Sequence, residues 1–291
     1  MTLAGGIRIG ELARRVGVTT DLLRAWERRY QLFEPDRSPG GYRLYSAEDE
    51  GRARAVCTLR AAGLSTAEAI GQVLGSSNGA EARAATAQDA LRRLRASVQV
   101  FDEAATVETL TDAHLRLGPV DSVRMVVLPA MEEIGDAWAM GQLSVAHEHF
   151  ATDIVRRHLR GIARGYAGPQ APKALVACPP GERHDLAALA FAVLLAHRGW
   201  AVRFLGADTP IPAIFVACQA LNPRWTVLAA SRASVFEAEM ASITHLAQRF
   251  PVALGGRGAT REVGRRVGAR LLPGQVSEAV DDIAADDAGR S

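Results

Sequence analysis

Lysine is almost absent: of 34 basic side chains only Lys173 is a lysine, so positive charge is carried by arginine, always protonated and donating in a planar fork. The formal net charge is only +2, which excludes a global field that would gather nucleic acid, so any such contact must come from arginines placed locally. Cysteine is scarce as well. Cys57, Cys178 and Cys218 are odd in number and far apart, which argues against a disulfide framework or a zinc site and leaves them as small reduced core residues. No apolar run reaches about 18 residues, and MTLAGGIRIGEL lacks the charged, apolar, small-residue order of a secretion signal. Neither a membrane span nor export is expected, and the expected location is the cytoplasm. What the chain does have is length: 291 residues, 48% of them hydrophobic, suffice for two or three cores.

Residues 1–75 read as a DNA-binding head. Ile9, Leu12, Ala13 and Val16 form one apolar helical stripe, Gly17 breaks it, and Thr19 or Thr20 caps a second helix that turns Leu22, Leu23 and Trp26 inward. This is a helix-turn-helix whose second helix leaves Arg24, Arg28 and Arg29 free for base edges and phosphates. SPGGYRLYS follows with turn residues beside Tyr42, Leu44 and Tyr45, a β-hairpin wing that carries Arg43 toward the DNA backbone. Ser46 to Asp49 caps a further helix, and Ala61, Gly63, Leu64 and Ser65 mark the turn before a short one. RIGELARRVGV, LRAWERRY and GGYRLYS resemble the winged helix-turn-helix of MerR-type transcription regulators over about 70 residues. That resemblance implies a dimer on two symmetric half-sites of double-stranded operator DNA. The expected contacts are Thr20, Arg24, Arg28, Arg29 and Tyr30 on the helix with Gly41, Tyr42 and Arg43 on the wing.

GSSNGAEARAA, residues 75–85, is small and polar and predicts a flexible linker over 76–85. Residues 86–168 carry four stretches of helical periodicity, led by Leu91, Val107, Val123 and Val145, which predict a four-helix bundle with Pro129 kinking or interrupting its third member. In DAWAMGQLSVAHEHF, Trp138 closes one helix, Gly141 breaks it, and Glu148 and His149 open the next beside His147, so these groups can face a common surface. His114 and His158 read as surface or capping histidines.

From Ala174 strands and helices alternate through five strands, a doubly wound parallel α/β sheet over 169–285, with a frayed acidic tail after about Val280, at its end 286–291. In such a sheet ligands bind at the loops leaving the strands. The first of these, GERHDLA, offers His184, whose ring could present one nitrogen to a metal arriving in its own macrocycle while Glu182 holds the other ring N–H. Capping of the next helix is the plainer use of the same histidine. SRAS adds the Ser231 hydroxyl, and GGRGA adds Gly255 and Gly256, where backbone can approach a flat group closely. LGGRGA follows the fourth strand and lacks the spacing of a phosphate-binding glycine loop.

Glu182, His184, Ser231, Gly255 and Gly256 match the pattern of B12-binding domains, with Ala187 where glycine is usual. That resemblance implies a cobalamin whose cobalt takes His184 as lower axial ligand. With the head, and with Trp138 nine residues ahead of Glu148 and His149, the chain resembles the CarH/LitR group of adenosylcobalamin-dependent photoreceptor repressors. The group implies Trp138, Glu148 and His149 around the upper adenosyl group, a dimer or tetramer gripping the operator in the dark, release after photolysis, and no enzyme activity. Ala139 stands where well-matched members have a histidine that takes the upper face of cobalt in the light, leaving open that His147 or His149 substitutes or that water remains. Other readings are a regulator sensing another tetrapyrrole or cobalamin without light, a corrinoid methyl carrier, and a MerR-type regulator whose C-terminal fold only oligomerises.

Overall fold

The computed structural model describes residues 6–38, 40–61, 65–163, 167–168 and 170–288. The chain divides into two compact units, Met1–Ala84 and Ala85–Ser291.

The first unit opens with α1 (Ile9–Val16) and α2 (Thr20–Tyr30). Gly17 between them takes φ +76°, and its N–H returns to the Ala13 carbonyl, ending α1 in the left-handed conformation that glycine adopts at least cost. Thr19 then caps α2, its hydroxyl accepting from the Leu22 N–H at 3.2 Å. Leu12, Leu23 and Trp26 meet in a core closed by Phe33 and Tyr45, whose rings pack edge to face at 5.7 Å. β1 (Asp36–Arg37) and β2 (Arg43–Leu44) pair antiparallel as the wing, with Gly41 at φ +79°. Pro39 of that turn, and Gly63 and Leu64 of the later one, lie outside the described residues. α3 (Ala47–Ala61) starts on a reciprocal cap, the Asp49 N–H donating to Ser46 Oγ at 3.1 Å and the Ser46 N–H to Asp49 Oδ2 at 2.8 Å.

α4 (Thr66–Gln99) is not short: it continues without interruption through the stretch expected to be a flexible linker. Gly75 to Gly79 are poor helix formers, but the six alanines between Ala80 and Ala90 are the best, and propagation adds one hydrogen bond for each residue fixed.

In the second unit α4 contributes Ala87, Ala90, Leu94 and Val98, all buried. It is joined by α5 (Glu103–Ser122), a π-helical turn Val123–Val127, α6 (Leu128–Ala139) and α7 (Val145–Ile162). Val107, expected on the inward stripe of α5, is exposed; Thr106 and Thr109 line the core instead, their hydroxyls donating to the Asp102 and Ala105 carbonyls at 2.6 and 2.7 Å. The positive-φ break of the backbone lies ahead of the segment that Pro129 interrupts. It falls at Gly118 (φ +78°) before Pro119, while Pro129 sits in the first turn of α6, where its missing N–H costs nothing. Its ring would crowd the carbonyl four residues back, and the chain widens there so that the Leu128 N–H reaches the Val123 carbonyl.

The sheet comprises β3 (Lys173–Ala177), β4 (Ala201–Gly206), β5 (Trp225–Ala229), β6 (Val252–Gly255) and β7 (Arg270–Leu271), all parallel, in the order β4-β3-β5-β6-β7. Alternate residues of each strand serve opposite faces. Ala174, Val176, Val227 and Ala253 join a core shared with α8 (Leu186–Ala196), α13 (Val276–Ala288) and the bundle. Leu175, Ala177, Leu228 and Leu254 face α9 (Ile211–Leu221), α10 (Ala233–Ala238), α11 (Met240–Ala247) and α12 (Arg261–Val267). α10 and α11 replace the single helix read from sequence, the chain bending at Glu239 (φ −106°, ψ +16°). α8 has no polar side chain and is buried from Ala188 to Ala196, as expected of a helix covered on both sides. The acidic end does not fray before Ala288: Val280 and Ile283 are buried, Asp282 and Asp286 pair with Arg270 at 2.8 and 3.2 Å, and Trp225 Nε1 donates to Asp286 Oδ2 at 3.1 Å.

Candidate functional site

Because β4 and β5 lie on opposite sides of β3, the connections leaving β3 and β5 diverge, and the crevice beyond their C-terminal ends is the place where open α/β sheets bind ligands. Glu182 stands there, 1% exposed. Its Oε2 accepts from both the N–H and the O–H of Ser231 at 2.6 Å, and its Oε1 from the His184 N–H and His184 Nδ1 at 2.8 Å. Burial alone would raise the carboxyl pKa; the bonds from Ser231 and then His184 outweigh it and hold it at about 2. The carboxylate therefore fixes the His184 tautomer with the proton on Nδ1, leaving Nε2 as a bare donor on a side chain that is 75% exposed. The chain thus brings Glu182, His184 and Ser231 together. Among the described residues, no three His, Cys, Asp or Glu side chains are grouped to hold a bare metal ion.

Three features here escaped sequence reasoning. Asp185, 3% exposed, accepts from Arg156 of α7, which ties the bundle to the His184 loop. Asp208 after β4 accepts from the Gly181 N–H at 2.8 Å. The glycines after β6 answer to the protein's own backbone: a Cβ on Gly256 (φ +83°) would stand 2.5 Å from the Ala230 carbonyl oxygen, and one on Gly258 2.5 Å from the Arg232 backbone. Gly255 has room, its nearest neighbour being Leu272 Cδ1 at 3.7 Å, and Ala187 is exposed in the first turn of α8. The signal was present in the third glycine of GGRGA.

At the corner between α6 and α7, Trp138, Met140 and Val145 are 51%, 67% and 53% exposed, an apolar patch of the kind that marks a binding surface. Glu148 accepts from Thr152 Oγ1 at 3.0 Å, and His149 Nε2 lies 3.5 Å from Glu148 Oε2. Among the described residues neither a hydrogen bond nor ring stacking joins Trp138 to this pair. His147 is committed elsewhere: Nδ1 accepts from the Ser144 N–H at 3.2 Å, Nε2 donates to the Gln99 carbonyl at 3.3 Å, and the ring stacks on Phe101. His149 and Arg156 share a face of α7, seven residues and about 10 Å apart along the axis. His114 and His158 are not surface histidines; their rings meet at 6.0 Å, with His114 Nδ1 and His158 Nε2 buried and unpartnered. Burial, then the neighbouring His114, lowers the His158 pKa to about 4.

In the head, Arg24, Arg28 and Arg29 are exposed on α2 and Tyr30 and Thr20 half-buried, with Arg24 lying 3.3 Å from Asp21 and Arg29 over the Tyr30 ring. Tyr42 and Gly41 are exposed on the wing, and Arg8 stacks on Tyr42 at 4.5 Å. Arg43 is not free. Glu27 holds its Nε at 2.8 Å and accepts from the buried Tyr45 hydroxyl at 2.5 Å, fixing the wing against α2. Burial, then Glu27, pushes that hydroxyl well above its usual range.

A model of MerR HTH family regulatory proteins matches residues 7–73, and one of a B12 binding domain matches residues 90–160. The HTH-type transcriptional repressor CarA of Myxococcus xanthus is 36% identical over 264 residues, 87% of each chain. The repressor CarH of the same organism is 30% identical over 266 residues, 87% of this chain and 89% of the relative. The structure of the Methanosarcina barkeri monomethylamine corrinoid protein superposes with a TM-score of 0.55 at 15% identity, covering 68% of this chain and 99% of that one, a likeness of fold alone. A helix-turn-helix head on a chain that continues into a bundle and a flavodoxin-like sheet is the build of a transcription regulator with a B12-binding domain. The chain belongs to the family of HTH-type transcriptional repressors that includes CarA and CarH. Both relatives are named as repressors, not as enzymes, and among the described residues no helix is long and apolar enough to cross a membrane.

Proposed function

We propose that this chain is a light-responsive repressor that binds adenosylcobalamin, holds operator DNA as a dimer or tetramer in the dark, and releases it on illumination. The observation that carries the reading is the buried Glu182 carboxylate, which accepts two bonds from Ser231 and two from His184 and so presents one bare imidazole nitrogen beside the switch point of the sheet. The residues suit a corrinoid: a single exposed imidazole backed by a carboxylate, no cluster of competing metal ligands among the described residues, and a neighbouring loop without side chains at Gly255 and Gly256. His184 would hold the cobalt through its free imidazole nitrogen, Glu182 and Ser231 would orient that imidazole, and Trp138, Glu148 and His149 would complete the cofactor's surroundings. Bound adenosylcobalamin supplies a cobalt–carbon bond that light breaks.

The chain's own part is to couple that site to the bundle. Arg156 and Asp185 anchor α7 to the His184 loop, so a displacement of α7 as a body is carried to the loop. Ala139 offers no imidazole and His147 has both nitrogens engaged, so His149 is the histidine of this corner left to respond. DNA is read by Thr20, Arg24, Arg28, Arg29, Tyr30, Gly41 and Tyr42, with Arg43 held by Glu27 to brace the wing beside them. The test is an absorption spectrum of the protein mixed with adenosylcobalamin in darkness, stripped of free cofactor, and recorded again after green light. A retained alkylcobalamin spectrum that converts supports the reading, as does loss of a mobility shift on its promoter DNA in the light. No retained cofactor, or a shift indifferent to light, refutes it.

A further inference from the structure

Each of the three loops that meet at the candidate site carries one exposed arginine: Arg183 after β3, Arg232 after β5 and Arg257 after β6. The loops form one surface. Ser231, beside Arg232, bonds to Glu182, beside Arg183, and the Gly258 N–H, one residue past Arg257, donates to the Ala230 carbonyl at 2.9 Å. Several other arginines are paired, as with Arg14 and Arg15 to Glu11, Arg52 to Glu48, and Arg116 to Asp112. Among the described residues these three have no ion pair and no side-chain hydrogen bond. The acidic groups nearby are spent, Glu182 on His184 and Ser231, Asp185 on Arg156, and Asp208 on the Gly181 N–H.

We infer that Arg183, Arg232 and Arg257 form a cationic collar around His184 that selects its ligand by the carbonyl and carboxylate groups on the rim of the macrocycle. A guanidinium offers a planar fork of N–H donors, which matches the oxygens of an amide or carboxylate side chain and makes its stronger bonds to the carboxylate. Arginines one to a loop suit a disc-shaped ligand with acceptors spaced around its edge. This rests on the corrinoid reading above and deepens it, because it names residues that distinguish one tetrapyrrole from another.

The test compares cyanocobalamin with its mixed monocarboxylic acids, in which one side-chain amide has been hydrolysed. Equilibrium dialysis is run on the full chain at low and high salt, for the wild type, Arg183→Gln, Arg232→Gln, Arg257→Gln and the triple variant. The collar predicts that the wild type binds the monocarboxylates about two- to fivefold tighter at low salt, the range of an exposed ion pair, with the advantage fading at high salt. Each single variant loses part of the preference, and the triple variant loses all of it at an unchanged melting temperature. A triple variant that keeps the wild-type affinities and ratio, in a protein that retains cobalamin, overturns the collar and leaves the proposed function standing. A wild type that retains neither corrinoid overturns both.

Discussion

Replacing Glu182 by glutamine tests the centre of the site with the least change of shape. An amide keeps one acceptor oxygen and presents donors in place of the other, so it faces either the Ser231 N–H or the His184 N–H with hydrogens instead of a lone pair. The hydroxyl and the imidazole can reverse their roles, but the backbone N–H cannot. One charge-assisted bond is lost outright, about 1.5–3 kcal/mol. The titration gives a similar figure: a carboxyl held at about 2 rather than 4.5 corresponds to about 3 kcal/mol. Because the folded pKa is the lower one, that stabilisation is present above pH 4.5 and is lost as pH falls toward about 2, the unfolded chain taking its proton first. Denaturant unfolding followed through amide exchange at Val176 and Val227, repeated over a pH series, reads both effects. Glu182→Gln should be about 3 kcal/mol less stable at neutral pH and should converge on the wild type near pH 2. Curves that stay parallel, or a neutral-pH difference below about 0.5 kcal/mol, would refute a loop organised around this carboxylate.

Gly256→Ala and Gly258→Ala should each cost more than about 2 kcal/mol, while Gly255→Ala stays within about 1 kcal/mol, as read by thermal melts, since only the first two would drive a methyl to 2.5 Å from backbone. Arg156→Met strands the buried Asp185 and should destabilise by about 3–5 kcal/mol; adding Asp185→Ala recovers part of it, and a double-mutant cycle with additive effects would show that the pair carries no coupling. His158 has its folded pKa lowered to about 4, so the unfolded chain binds a proton first and stability falls as pH drops from about 6.5 toward 4. His158→Gln should remove that part of the acid sensitivity, and an unchanged pH profile of the unfolding midpoint would count against the buried pair with His114.

Periodicity made the order of elements legible, and the all-apolar run of α8 announced a helix covered on both sides. What it could not convey were effects that depend on neighbours distant in sequence. The helix through Gly75–Gly79 is decided by the alanines beyond it, and the acidic stretch after Val280 becomes helix because Arg198, Arg270 and Trp225 wait for its carboxylates. In the site, Glu182, His184 and Ser231 were readable because they lie in the loops that follow strands. Arg156 was not, since nothing in α7 signals a carboxylate 29 residues on. Glu27 escaped for the same reason: its partners Arg43 and Tyr45 belong to the wing.

The apolar jacket of α8 also bears on how such a chain can be divided. The core formed by Leu12, Leu23, Trp26 and Tyr45 lies within the first unit and takes in Ile70 and Val73 of α4, so another DNA reader could replace that segment only if it joins the rest through the same continuous helix. Stripping the bundle from the sheet would instead bare a greasy cylinder with no polar side chain to solvate it, and the remnant should clump. Gene fusion can therefore swap the reader, but the bundle and the sheet must be inherited as one piece.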